Sequence, residues 1–304
     1  MENVKLRLAL AGWRSVADLI YLIFNNLWAY RKKVIVQNLA ECFPVISENE
    51  IKLLSKKYFR HLADLIVEPF LIGQLKSGNF NKLVSYDNME LVHRLIADKK
   101  DIVLMASHYG NWEYLLALPL VAKCDVLAAY SPLTNRFLDK KLLKMRSRFG
   151  IKLVPKSDWY RTVLKWDHKA PAIFITIADQ RPAGPVKNHL EFMNMKTFVQ
   201  PGAARIAISR NCAVVYLDVQ KKARNRYRFS FKLLAENPEN MDENQIMRQY
   251  YQSLESTIKR QPELWLWSHN RWKCILERKK YVKIGKLAQN SAKGCFFTQF
   301  SDFL

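Results

Sequence analysis

Ser107-His108-Tyr109-Gly110-Asn111-Trp112-Glu113 follows the apolar run DIVLMA (101–106) and precedes YLLALPLVAK (114–123). The run has the length of a buried strand and the stretch after the turn reads as a helix, so the motif is strand, tight turn, helix. Gly110 relieves the turn. Asn111 suits an N-cap, because its side-chain oxygen can accept from a free backbone N–H of the first helical turn. His108 then sits at the carboxyl end of a strand, and Glu113 at the positive end of a helix, where an ionised carboxylate is favoured. On one continuous helix, residues five apart point about 140° from each other, but the intervening turn allows the carboxylate to fold back towards the imidazole. A carboxylate on one ring nitrogen fixes the tautomer and leaves the other nitrogen to take a proton from a hydroxyl. Such a pair is half of what is needed to activate an alcohol.

Outward from this motif the chain alternates between the two periods. Strand patterns fall at 125–130, 151–154, 172–178, 212–219 and 226–233, and helical ones at 135–149, 158–166, 201–210 and 241–260. The expected fold class is α/β, a mostly parallel sheet flanked by helices. Parallel strands place their carboxyl ends on one edge, where ligands of open α/β sheets bind. His108 and Asp179-Gln180 both fall just past such ends and are expected to share one cleft. Upstream, helices are expected at 34–41, 47–70 and 88–98, the second opened by the capping-box spacing Ser47-Glu48-Asn49-Glu50.

The chain of 304 residues can bury a substantial core, and a hydrophobic fraction of 49% excludes disorder of the whole. Lys and Arg outnumber Asp and Glu by 49 to 27, a formal charge of +22. That excess predicts polyanionic company: nucleic acid, an anionic membrane surface or an acidic carrier protein. Cys42, Cys124, Cys212, Cys274 and Cys295 are scattered with no CxxC, so neither a disulfide framework nor a zinc ribbon is suggested. No small-residue cleavage site follows a clean apolar core at the N-terminus.

Residues 4–30 are apolar and aromatic but interrupted by Lys5, Arg7, Arg14 and Asp18. Their densest apolar run, 19–24, is well short of the roughly 18 uncharged residues of a spanning helix. The leading reading is an amphipathic helix lying at a membrane interface; a degenerate spanning segment and an ordinary core helix are the others. Trp13, Tyr21, Trp28 and Tyr30 suit the headgroup zone, and Arg31-Lys32-Lys33 would face anionic lipid. The expected organisation is a helical membrane-associating segment at 1–45, a catalytic α/β unit at 46–275 and a basic, aromatic tail at 276–304.

With these blocks assembled, the chain resembles the lipid A biosynthesis acyltransferases, the lauroyl- and myristoyl-transferase branch of the lysophospholipid acyltransferase superfamily. The resemblance runs from about residue 20 to 275 and rests on several ordered blocks: RKKVIVQNLAECFP (31–44), HYGNWE (108–113), YSPLTN (130–135), RSRFG (146–150), ADQRP (178–182) and PELWLWSHNRWK (262–273). It implies that His108 is the general base and Glu113 its acidic partner. It also implies that Arg146 lies near a phosphorylated acceptor and that Asp179-Gln180 form a block near the site. Members transfer a fatty acyl chain, usually from acyl carrier protein, to a hydroxyl of a glucosamine-based lipid at the cytoplasmic leaflet of the bacterial inner membrane. Phe192-Met193-Asn194 departs from the family's phenylalanine, apolar residue and glycine.

The expected chemistry is attack of a lipid hydroxyl on the thioester of acyl carrier protein or CoA, with no cofactor and no metal; His61, His93, His168, His189 and His269 lack ligand spacing. No GxSxG elbow is present. Asn111, Asp179, Gln180 and Arg181 are the further substrate-binding candidates beside Arg146, each with a plainer alternative as cap, loop acceptor or exposed side chain. The C-terminal tryptophans read first as packing, since buried indole is hydrophobic bulk with one donor to satisfy. The expected partners are acyl carrier protein, an anionic glycolipid and a membrane surface. A lysophospholipid acceptor, or a basic membrane-binding or nucleic-acid-binding protein without catalysis, are the alternatives. No helix-turn-helix, zinc finger or RNA-binding aromatic motif supports the nucleic-acid reading.

Overall fold

The computed structural model describes residues 2–273, apart from 28, 29, 76, 168, 183 and 185. The expectations for Trp28, His168 and the tail at 276–304 therefore lie outside the described residues. The chain begins with α1 (Glu2–Leu22), α2 (Lys32–Cys42) and α3 (Glu48–Gln74). The capping box of α3 forms: Glu50 N donates to Ser47 Oγ and Ser47 N to Glu50 Oε2. There follow β1 (Val84–Asp87), α4 (Met89–Ala97) and β2 (Ile102–Ala106), the last with every residue buried.

Beyond the motif come α5 (Leu118–Ala122), β3 (Asp125–Tyr130), α6 (Arg136–Arg146), β4 (Ile151–Pro155), α7 (Trp159–Leu164) and β5 (Ala172–Ile177). The helix expected directly after Asn111 is a 3-10 turn, Trp112–Ala117, before α5. Pro119 has no N–H to give the Leu115 carbonyl, which takes the Leu118 N–H instead.

The chain continues with β6 (His189–Phe192), β7 (Met195–Phe198), α8 (Gly202–Arg210), β8 (Ala213–Ala223), β9 (Arg226–Ala235) and α9 (Glu243–Arg260). β6 and β7 are a hairpin that the sequence reading did not anticipate. Its two turn residues, Met193 and Asn194, both have left-handed backbones (φ 53 and 61), the geometry of the turn that suits a twisted two-residue hairpin. Asn194 is among the residue types that tolerate this conformation.

Seven strands form one sheet in the order β1-β9-β8-β2-β5-β3-β4. β8, β2, β5, β3 and β4 run parallel; β9 returns antiparallel to β8 and carries β1 parallel to itself. Helices flank the sheet: α8 packs on β2, α9 on β8 and β9, α4 on β9, and α5 on β3. α1 lies along α3, and its Leu6 and Leu10 join the same buried cluster as the sheet. Among the described residues no helix is long and apolar enough to cross a membrane.

Candidate active site

Ala106 and Ile177, the last residues of β2 and β5, are register partners in neighbouring parallel strands. His108 and Asp179 each stand two residues further on, so the same pleat that aligns the strands brings the two side chains together. His108 Nδ1 donates to Asp179 Oδ1 at 2.7 Å, and the His108 backbone N–H donates to Oδ2 at 2.9 Å. The strand ends are fixed from α9, where the Tyr250 hydroxyl donates to the Ala106 carbonyl and that of Tyr251 to the Ala178 carbonyl.

The sequence reading expects the carboxylate on the imidazole to come from Glu113. In the structure Asp179 occupies that position, and among the described residues Glu113 makes no hydrogen bond to His108. The cause is local: Asn111 Oδ1 accepts from Glu113 N at 2.9 Å, starting the 3-10 turn, and the Glu113 carboxylate faces Arg146 at the end of α6. Arg146 Nε donates to Glu113 Oε2 at 2.9 Å and its Nη2 to Oε1, a two-point fork. Burial works against the guanidinium charge, but Glu113 more than offsets it and leaves the Arg146 pKa above its ordinary value.

Trp265 belongs to this site although its sequence context suggests packing alone. Its Nε1 donates to Asp179 Oδ2 at 2.8 Å, so one oxygen of Asp179 serves two donors and the other serves the ring. Burial alone would raise this carboxyl, yet the His108 ring, the Trp265 indole and the His108 backbone together hold it below its ordinary value. Asp179 is only 2% exposed and the His108 side chain 15%; a buried anion thus faces an imidazole that still reaches solvent. With Nδ1 protonated towards Asp179, Nε2 is the free base, and the Gln180 amide Nε2 donates to it at 3.2 Å.

The segment after α9 ties both halves of the site. Gly110 N donates to the Leu264 carbonyl, Leu266 N to the His108 carbonyl, and Arg181 N to His269 Nε2 at 3.1 Å. The Arg181 side chain is half-buried. Asn111 is buried, with both atoms of its amide engaged within the protein. Among the described residues no group of three or more His, Cys, Asp or Glu side chains is placed to hold a metal.

An imidazole held by a buried carboxylate, with its second nitrogen open at the carboxyl edge of a parallel sheet, suits removal of a proton from a hydroxyl. Residues 15–274 match the family described as bacterial lipid A biosynthesis acyltransferase. A lipid A biosynthesis acyltransferase of Haemophilus influenzae is 23% identical over 282 residues, covering 88% of this chain and 89% of the relative. The matched span contains the whole sheet, both halves of the histidine–carboxylate pair and the segment that clamps them, and the chain belongs to the bacterial lipid A biosynthesis acyltransferase family.

Proposed function

We propose that the protein transfers a fatty acyl chain from a thioester carrier to a hydroxyl of a lipid A precursor, with His108 as general base held by Asp179. The observation that carries the reading is the bond from His108 Nδ1 to Asp179 Oδ1, which leaves Nε2 unprotonated and outward. The acceptor hydroxyl takes the place of the Gln180 amide at Nε2. Its oxygen attacks the thioester carbon as His108 takes its proton; the tetrahedral intermediate expels the thiolate, and the imidazolium returns the proton to it. Asp179 stabilises the imidazolium without itself becoming protonated. Glu113 acts on this reading through Arg146, which it holds by two points for a phosphate of the acceptor.

The donor is acyl carrier protein, an acidic partner suited to a chain of formal charge +22. The protein works at the cytoplasmic face of the bacterial inner membrane, with α1 lying against the lipid surface. Supporting this, α1 buries Leu6, Leu10 and Ala17 while exposing Leu8, Val16, Leu19 and Leu22, and Phe137 and Leu138 are exposed on α6. The test is single-turnover transfer from acyl carrier protein thioesters of several chain lengths to a lipid A precursor, read by product mass. Product from wild type and none from His108→Ala supports the proposal. Undiminished transfer by His108→Ala would remove it, and transfer to lysophospholipid alone would replace the acceptor.

A further inference from the structure

Beneath the turn that carries His108 and Glu113 lies a carboxylate that the reaction does not use. Glu68, in α3, is 1% exposed. Its Oε2 accepts from Asn111 Nδ2, its Oε1 accepts from Asn225 Nδ2 at 2.8 Å, and the Tyr227 hydroxyl lies 3.3 Å from Oε2. Asn111 in turn spends its own oxygen on Glu113 N. The turn has no slack on this side: a Cβ on Gly110 would stand 2.7 Å from Val219 Cγ1 and 3.4 Å from the Tyr227 ring.

We propose that Glu68 is a positioning residue for acyl transfer, its carboxylate orienting Asn111 and through it the turn that aims His108 and starts the helix of Glu113. Three donors converge on Glu68, which serves there as their acceptor. The direction of the Glu68–Asn111 bond also decides which end of the Asn111 amide is left to cap Glu113. Were that amide to turn over, it would present N–H to N–H at Glu113 and lose the cap. Of the charged groups around Glu68, Lys221 from β8 favours its ionised form and Asp64 on its own helix opposes it; Lys221 also pairs with Asp64, and Tyr227 and Tyr114 complete the surroundings. This proposal rests on the reaction proposed above.

The test is a reversal of hydrogen-bond polarity. Asn111→Asp alone sets two carboxylates against each other in a buried place, and its kcat is expected to fall about a hundredfold. Glu68→Gln alone places an amide among three donors and is expected to lower kcat about tenfold, with KM for donor and acceptor within about twofold of wild type. In the double variant the amide brought in by Glu68→Gln can donate to the new carboxylate, which still accepts from Glu113 N. Its kcat is therefore expected to exceed that of Asn111→Asp, so that Glu68→Gln harms wild type and helps the variant. Losses that simply multiply, or a Glu68→Gln enzyme equal to wild type, overturn the proposal. Amide hydrogen exchange of residues 109–114 gives a second reading independent of turnover, with faster exchange in each single variant and recovery in the double. If wild type gives no transfer, the reaction fails on its own account, and the exchange pattern still decides whether Glu68 holds the turn.

Discussion

The indole N–H of Trp265 reaches the Asp179 carboxylate at 2.8 Å, so the group that holds His108 is itself held from 86 residues further along the chain. Asp179 Oδ2 thus receives two donors, Trp265 Nε1 and His108 N, while Oδ1 receives His108 Nδ1. An asparagine at 179 would turn its oxygen to the two donors and its NH2 to the ring, selecting the tautomer with Nε2 protonated. Asp179→Asn should fold and lose about a thousandfold in single-turnover rate; a loss below tenfold would show that the tautomer does not matter. Trp265→Phe keeps the ring and removes one donor, for a stability loss of about 1 kcal/mol in denaturant titration.

Arg146 meets Glu113 through both Nε and Nη2. A lysine offers one point charge on a flexible stem and cannot reproduce that fork. Arg146→Lys should raise KM for a phosphorylated acceptor about tenfold and leave KM for the acyl donor unchanged. Equal effects on acceptors with and without phosphate would remove the assignment of this guanidinium to the acceptor.

Glu68 gives the stability of the protein a pH signature. Burial, opposed by Lys221 and Asn111, raises its carboxyl from 4.5 to about 7. Between these values the native state keeps a proton that the unfolded chain has released. The contribution is therefore full below about pH 4.5 and is lost as pH rises through about 7. Glu68→Gln cannot ionise, so relative to wild type it should gain on the order of 3 kcal/mol from pH 4.5 to 7. His61, held well below its ordinary pKa by burial and by Lys221, acts in the opposite sense below pH 6.5. The difference between variant and wild type across denaturant titrations, rather than either curve alone, isolates Glu68. A pH-independent difference would mean that Glu68 is ionised no less easily in the fold than in the open chain.

Gly110 has φ +63, and an added Cβ would lie 2.7 Å from Val219 Cγ1. Gly110→Ala meets both a left-handed backbone and a filled site. Together these should cost about 2 kcal/mol or more and lower the melting temperature by several degrees. A melting temperature equal to that of wild type would show that the turn can relax.

The architecture was legible where periodicity and punctuation agree. Buried β2, the capping box of Ser47 and Glu50, and the Asn111 cap follow from local spacing. β1 and the β6–β7 hairpin were not legible: their strands have four residues each, too few for alternation to separate from loop. The hairpin turn is also Met193-Asn194 rather than a glycine-containing pair. At the site, the expected edge was right and the expected partner differed. Glu113 is five residues from His108 and invites a local pairing, whereas Asp179 meets the ring only because β2 and β5 are neighbours. That adjacency is a property of strand order, which no window of sequence contains. The Trp265 bond was hidden similarly, since an indole in an aromatic cluster gives no sign of where its N–H points.

The clamp formed by Leu264, Leu266 and His269 also sets a schedule. These residues are among the last of the family span to leave the ribosome, yet they supply the bonds to Gly110, His108 and Arg181. A nascent chain can lay down β2 and β5 and still lack the Asp179 donor until Trp265 has emerged. Prematurely ended chains that stop before it are thus born without the indole that holds the Asp179 carboxylate against His108.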